Sequence, residues 1–132
     1  METKIKTMLT GKCKLDFEKW FLKDVDSTEN YDQYVLRSFL SKGLSMQYGV
    51  YVDFFDSVKI VIELQVRTTP TMQGGSFTCI RPSILSVGKF YNVGASFVVR
   101  DRARTEAIKK ANEIYNKQQI IANVKKPNAN IL

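Results

Sequence analysis

Histidine is absent from all 132 residues. That removes histidine general bases, histidine-dependent nucleophile triads and the usual zinc ligand sets together. Cysteine is nearly absent. Cys13 and Cys79 are the only two, and they share no CxxC spacing. A structural disulfide is therefore not expected, and two buried free thiols are. No apolar run approaches the roughly 20 residues of a membrane span. The opening METKIKTMLTGKCK has no apolar block after its lysines, so no secretory signal is expected and the sequence predicts a cytoplasmic protein. Internal repeats and low-complexity blocks are also lacking. Gly74-Gly75 is not a phosphate loop, because no Lys-Ser/Thr pair follows it. Nothing in this inventory calls for a cofactor or a metal.

What is present is ordinary for a globular chain: 44% hydrophobic and 25% charged residues. The length suits one domain with a core of its own. The sequence predicts a single domain over residues 1–122 and a flexible tail over 123–132. The spacing of Cys13, Phe17, Trp20 and Phe21 predicts a helix over 11–23. Asp26-Ser27-Thr28 is a capping cluster for a second helix over 29–40, with Tyr31, Tyr34, Val35 and Phe39 as its stripe and Gly43 as a left-handed stop. Residues 45–57 read as strand or helix. The absence of turn residues before Lys59 favours a helix, with Ser45 as its cap. Residues 59–69 alternate cleanly, Ile60, Ile62, Leu64 and Val66 on one face, and predict a strand ended by Pro70. A second strand is expected over 76–81 and a long loop or excursion over 82–92, with a short strand near Phe90 as the alternative within it. A last strand over 94–100 leads into a helix over 102–118, whose stripe is Ala107, Ile108, Ala111, Ile114 and Tyr115. The order implies an α+β fold: N-terminal helices and a C-terminal helix packed on a three- to four-stranded, mostly antiparallel sheet. The edges and open face of such a sheet make a homo-oligomer an expected partner state.

The formal charge is +7, and its distribution is uneven. Residues 67–132 hold eleven basic side chains against three acidic ones, whereas residues 45–66 hold one against three. The asymmetry points to an anionic partner, a nucleotide-type small molecule or nucleic acid, with solubility as the plainer alternative. The main candidate site is Arg100, Arg102 and Arg104 at the start of the last predicted helix, with Asp101 as its N-cap. Guanidinium forks and free helix N–H groups both suit a phosphate. The same arginines also fit a solvated strand end whose stems cover apolar surface. Arg81, Lys89, Phe90 and Tyr91 are a second group, able to stack a base and hold its phosphate if they share a loop. Asp53, Asp56 and Glu63 form a weak carboxylate group that reads more simply as a polar helix face.

Three segments, GKCKLDFEKWFLK at 11–23, SMQYGVYVDFFDSV at 45–58 and ARTEAIKKANEIYN at 103–116, resemble a group of small uncharacterised accessory proteins encoded by phages and prophages of gut bacteria. The resemblance implies a protein of the host cytosol and carries no catalytic motif. With it, the expected function is non-enzymatic: an anti-defence or host-takeover protein that sequesters an anionic, nucleotide-type signal. Nucleic-acid binding and a ligand-free structural oligomer are the alternatives.

Overall fold

A computed structural model describes residues 8–23, 25, 31–94 and 96–125. The elements run α1 (Gly11–Leu22), α2 (Tyr31–Leu40), α3 (Leu44–Ser57), β1 (Ile60–Pro70), β2 (Ser76–Ser86), β3 (Lys89–Asn92) and α4 (Arg100–Lys125). The fold is α+β, with an antiparallel sheet in the order β1-β2-β3. Alternation decides which face is covered. Ile60, Ile62 and Ile84 are buried under α3 and α4, while Val61, Glu63, Arg67 and Phe77 on the other face are exposed.

The core is aromatic and centres on α1. The Phe17 ring meets those of Trp20, Phe21, Phe39, Tyr51 and Phe54, with centroids 5.1 to 6.0 Å away. The stripe expected on α4 is buried in full, with Ala103 added at its head. The stripe expected on α2 is not, because only Phe39 is buried while Tyr31 and Tyr34 stand exposed. Residues 26–30, which held the expected cap of α2, lie outside the described residues.

Several expectations give way to the structure. Gly43 has φ −64, so it is not a left-handed stop, and it rather than Ser45 precedes α3. The end of α2 is instead satisfied by Gln47, whose amide donates to the carbonyls of Leu40 and Lys42 at 3.1 and 2.8 Å. The expected loop over 82–92 is a hairpin. β2 continues to Ser86, Val87 and Gly88 turn with φ of 51 and 75, and β3 returns. Both turn residues adopt positive φ, the requirement of a tight hairpin, although Val87 is a poor residue for it. The strand expected over 94–100 is reduced to one bridge between Ile80 and Phe97, and α4 begins at Arg100. Pro82 helps to explain the break. It sits in the central strand, where its missing N–H faces the side on which β3 has already ended at Asn92. α4 runs on to Lys125, so the first residues of the expected tail are helical. Of the two thiols, Cys13 is buried but Cys79 only partly so.

The α1–α4 seam is polar as well as apolar. The Tyr115 hydroxyl donates to Asp16, which also pairs with Lys12 at 3.0 Å. Burial pushes the Asp16 carboxyl up, but the hydrogen bonds from Tyr115 and Lys12 outweigh it and hold the group below its usual range. Burial, then the Asp16 charge, pushes the Cys13 thiol up to about 12. Burial and the same carboxylate raise the Tyr115 phenol. The depressed Asp16 adds stability above the unfolded-chain value of about 3.9 and loses it as pH falls through its folded value. The raised Cys13 and Tyr115 add stability below their unfolded values and lose it as pH rises through the range of about 9 to 12. Urea midpoints measured from pH 2 to 11 are expected to fall at both ends. Asp16→Asn should flatten the acid limb, and an unchanged acid limb would contradict this assignment.

Candidate functional site at the head of α4

Among the described residues no side chain caps the start of α4. Val99 stands at its N-cap position, its carbonyl accepting from the Ala103 N–H at 3.2 Å, and valine has no side-chain oxygen to offer. Asp101 lies inside the first turn and pairs with Arg104 at 3.1 Å, so it is not the expected cap. The first backbone N–H groups of the helix therefore lack intrahelical acceptors.

The three arginines of this turn divide in role. Arg104 turns inward over the Tyr48 ring, 5.5 Å from its centroid, and is held by Asp101. Its Nε is buried without a hydrogen-bond partner among the described residues. Arg102 is exposed and lies over Phe97, 5.9 Å from the ring centroid. Arg100 is exposed and forms no ion pair among the described residues. Burial raises the Tyr48 phenol, while the charges of Arg104 and Arg100 pull it down, which places both cations within electrostatic reach of one ring. Val98 and Val99 beside them are exposed. The result is a cationic rim with apolar and aromatic surface, anchored on α3, the Ile80–Phe97 bridge and α4.

The second group does not join it. Lys89 pairs with Ser86, and the Ser86 hydroxyl accepts from Gln118 at 2.6 Å. Gln118 is eighteen residues on from Arg100 along one helix, or about 27 Å at 1.5 Å per residue. Phe90 and Tyr91 point to opposite faces of β3, Phe90 exposed and Tyr91 against the core, so they cannot clasp one base between them. Arg81 is exposed on the open face, whereas Phe97 belongs to the helix-covered side by its register with Ile80, and Arg102 lies over it from α4. The structure thus brings Arg100, Arg102 and Arg104 together and leaves Arg81, Lys89, Phe90 and Tyr91 apart from them. Sequence reasoning missed Tyr48 and Phe97, because their approach to the arginines depends on tertiary packing.

The three carboxylates of the weak acidic group do not converge. Asp53 and Asp56 are exposed on α3, which packs on the covered side of the sheet, and Glu63 faces the open side. Among the described residues no group of three or more Asp, Glu, Cys or His side chains could hold a metal ion. An apolar depression of about 260 Å³ lined by Phe21, Tyr34, Val35, Ser38, Phe39 and Lys42 contains none of the candidate residues. No helix among the described residues is long and apolar enough to cross a membrane. Compared with protein-family models, curated proteins and solved structures, the chain has no significant match.

Proposed function

We propose that this protein acts by binding rather than catalysis, and that it takes an anionic ligand of nucleotide type at the head of α4. The observation that carries the reading is the uncapped first turn of α4 with Arg100 and Arg102 exposed beside it. Free helix N–H groups and guanidinium forks both favour phosphate oxygens, and the Phe97 and Val98 surface offers an apolar neighbour for a base. Sequestration of a nucleotide signal, in the setting of a phage accessory protein, is the role this chemistry fits. Calorimetry against cyclic and ADP-ribose-type nucleotides tests it. Charge-assisted contacts contribute about 1.5–3 kcal/mol each, so Arg100→Ala with Arg102→Ala should weaken binding by roughly 100-fold or more. No heat from wild type at high micromolar ligand would overturn the reading.

Nucleic-acid binding is the second reading. It is favoured by exposed cations near both ends of α4, Arg100 and Arg102 at its head and Lys89 beside Ser86, the partner of Gln118. Gln118 lies about 27 Å along the helix from Arg100, a span that suits a polymer better than a mononucleotide. Its mark is affinity that falls steeply with salt as counterions are released.

A further inference from the structure

β1 is an edge strand of eleven residues, about twice the common length, with no bulge in its register against β2. Its side away from β2 carries no partner strand among the described residues. The Thr71 N–H donates to the Gly75 carbonyl at 2.8 Å, which marks the first bonded pair at the hairpin end. Antiparallel alternation from there sends the N–H and C=O groups of Ile62, Leu64, Val66 and Thr68 away from β2. An independent bond agrees. Ile80, opposite Val66, exchanges both its bonds with Phe97 on the far side, at 2.7 and 2.8 Å, so this pair is not bonded within the hairpin. From Val66 to Pro70 the strand is exposed, and Val66 is 52% exposed.

The geometry points to a second copy of this chain as the occupant of that edge, joined antiparallel through β1 with Gln65 on the two-fold axis. The register that overlaps the whole strand sets Gln65 opposite Gln65. It then sets Leu64 opposite Val66 of the second copy and Ile62 opposite Thr68, which are the residues with free backbone groups. On the open face it sets Glu63 opposite Arg67 of the second copy, twice by symmetry. Within one chain Glu63 faces Ser83 and Arg67 faces Cys79, and neither forms an ion pair among the described residues. Opposite charges directly across a strand pair stabilise it, and like charges destabilise it. Moving the axis by one residue loses this match, because Glu63 then meets Gln65 in one direction and Thr69 in the other. The register of fullest overlap is therefore also the one that pairs the charges. Six strands would form one sheet, and the exposed Val66 would gain an apolar neighbour in Leu64 of the second copy.

Sedimentation velocity of the full chain from 1 to 200 µM tests the pairing. Wild type is expected to dimerise in this range. Glu63→Arg and Arg67→Glu should each weaken the dimer by at least tenfold, and the double exchange E63R/R67E should restore it. In a Cys79→Ser background, Gln65→Cys should form an intermolecular disulfide on mild oxidation. Arg67→Cys should not, because its copies would lie four residues apart in register. A monomer at every concentration would leave the edge to a strand from a different protein and overturn the proposal. A dimer indifferent to the charge exchange, or one cross-linked equally at both positions, would overturn it too.

Discussion

Replacing Phe17 by alanine is expected to remove about 3–5 kcal/mol of stability, a large part of what a domain of this size holds. Phe17 is 2% exposed, and its ring is the common neighbour of five other aromatic side chains drawn from α1, α2 and α3. Alanine would lose the transfer free energy of the ring and leave a void whose walls are themselves rigid rings. Such walls relax less than a lining of leucine or methionine, so the upper part of the range is expected. Tilted and edge-on pairs add about 0.5–1.5 kcal/mol each beyond burial. The chain should therefore melt roughly 10–20 °C lower. In urea the midpoint should fall with the slope unchanged, since the surface exposed on unfolding stays nearly the same. Leu15→Ala on the same helix, 55% exposed, is the control and should change stability by less than about 0.5 kcal/mol. A Phe17 variant as stable as that control would mean the helices are not organised around this ring.

The elements that were legible in the sequence are those with strong period and local ends. α1, β1 and the buried stripe of α4 follow from spacing, because 3.6- and 2-residue periods separate the faces that tertiary packing then buries. The spacing of α3 fits strand and helix alike, and only its ends favour the helix. What misled was turn chemistry. A hairpin through Val87-Gly88 lacks the Asn-Gly signal, and a proline inside the central strand argues against a strand at all. Both are allowed here for reasons that lie elsewhere in space: β3 stops short of Pro82, and the remaining pairs of the hairpin hold Val87 at positive φ. The FVV run before α4 alternates in no useful way either, since Val98 and Val99 remain exposed.

The candidate site was half legible. Three arginines on one helical turn announce a cationic patch, and the helix start can be read from Asp101 to within a residue or two. Their division into an inward Arg104 and outward Arg100 and Arg102 cannot be read, because it depends on Tyr48 arriving from α3 and Phe97 from the bridge. The separation of Lys89 from Arg100 depends likewise on the hairpin, which sequence reasoning replaced with a loop. A loop would have let the two groups meet, whereas a strand pair holds them at opposite ends of α4.

The amide pair Asn112 and Asn116 escaped sequence reasoning altogether, and its removal is expected to have the second largest effect. Thr10 precedes α1 but does not cap it with its own side chain. Asn112 accepts from the Thr10 N–H at 3.0 Å and donates to the Thr10 hydroxyl at 2.9 Å. Asn116 accepts from the Cys13 N–H at 2.9 Å and donates to the Thr10 carbonyl at 3.0 Å. The first turn of α1 is thus capped from α4, about 100 residues away in sequence, where a local capping residue would ordinarily serve. Gly11 permits the approach. It has φ +61, and a Cβ there would stand 3.2 Å from the Asn116 amide. Each asparagine truncated to alanine leaves partly buried donors and acceptors unpaired, at about 1–3 kcal/mol per site. The double variant N112A/N116A should lose roughly 3–5 kcal/mol, by adding two such sites that share Thr10. Aspartate separates the two roles. Asn112→Asp keeps the acceptor for the Thr10 N–H, and the Thr10 hydroxyl can rotate to donate, so little should change. Asn116→Asp turns an oxygen toward the Thr10 carbonyl and should be clearly worse, although both carboxylates sit near a helix N-terminus that favours negative charge. Urea titration orders the variants. Amide exchange gives the local readout: the Thr10 and Cys13 amides should lose protection in N112A/N116A before the β1–β2 ladder does. Equal losses in the two aspartate variants would contradict the donor assignment at Asn116, and unchanged exchange at Thr10 and Cys13 would contradict capping from α4.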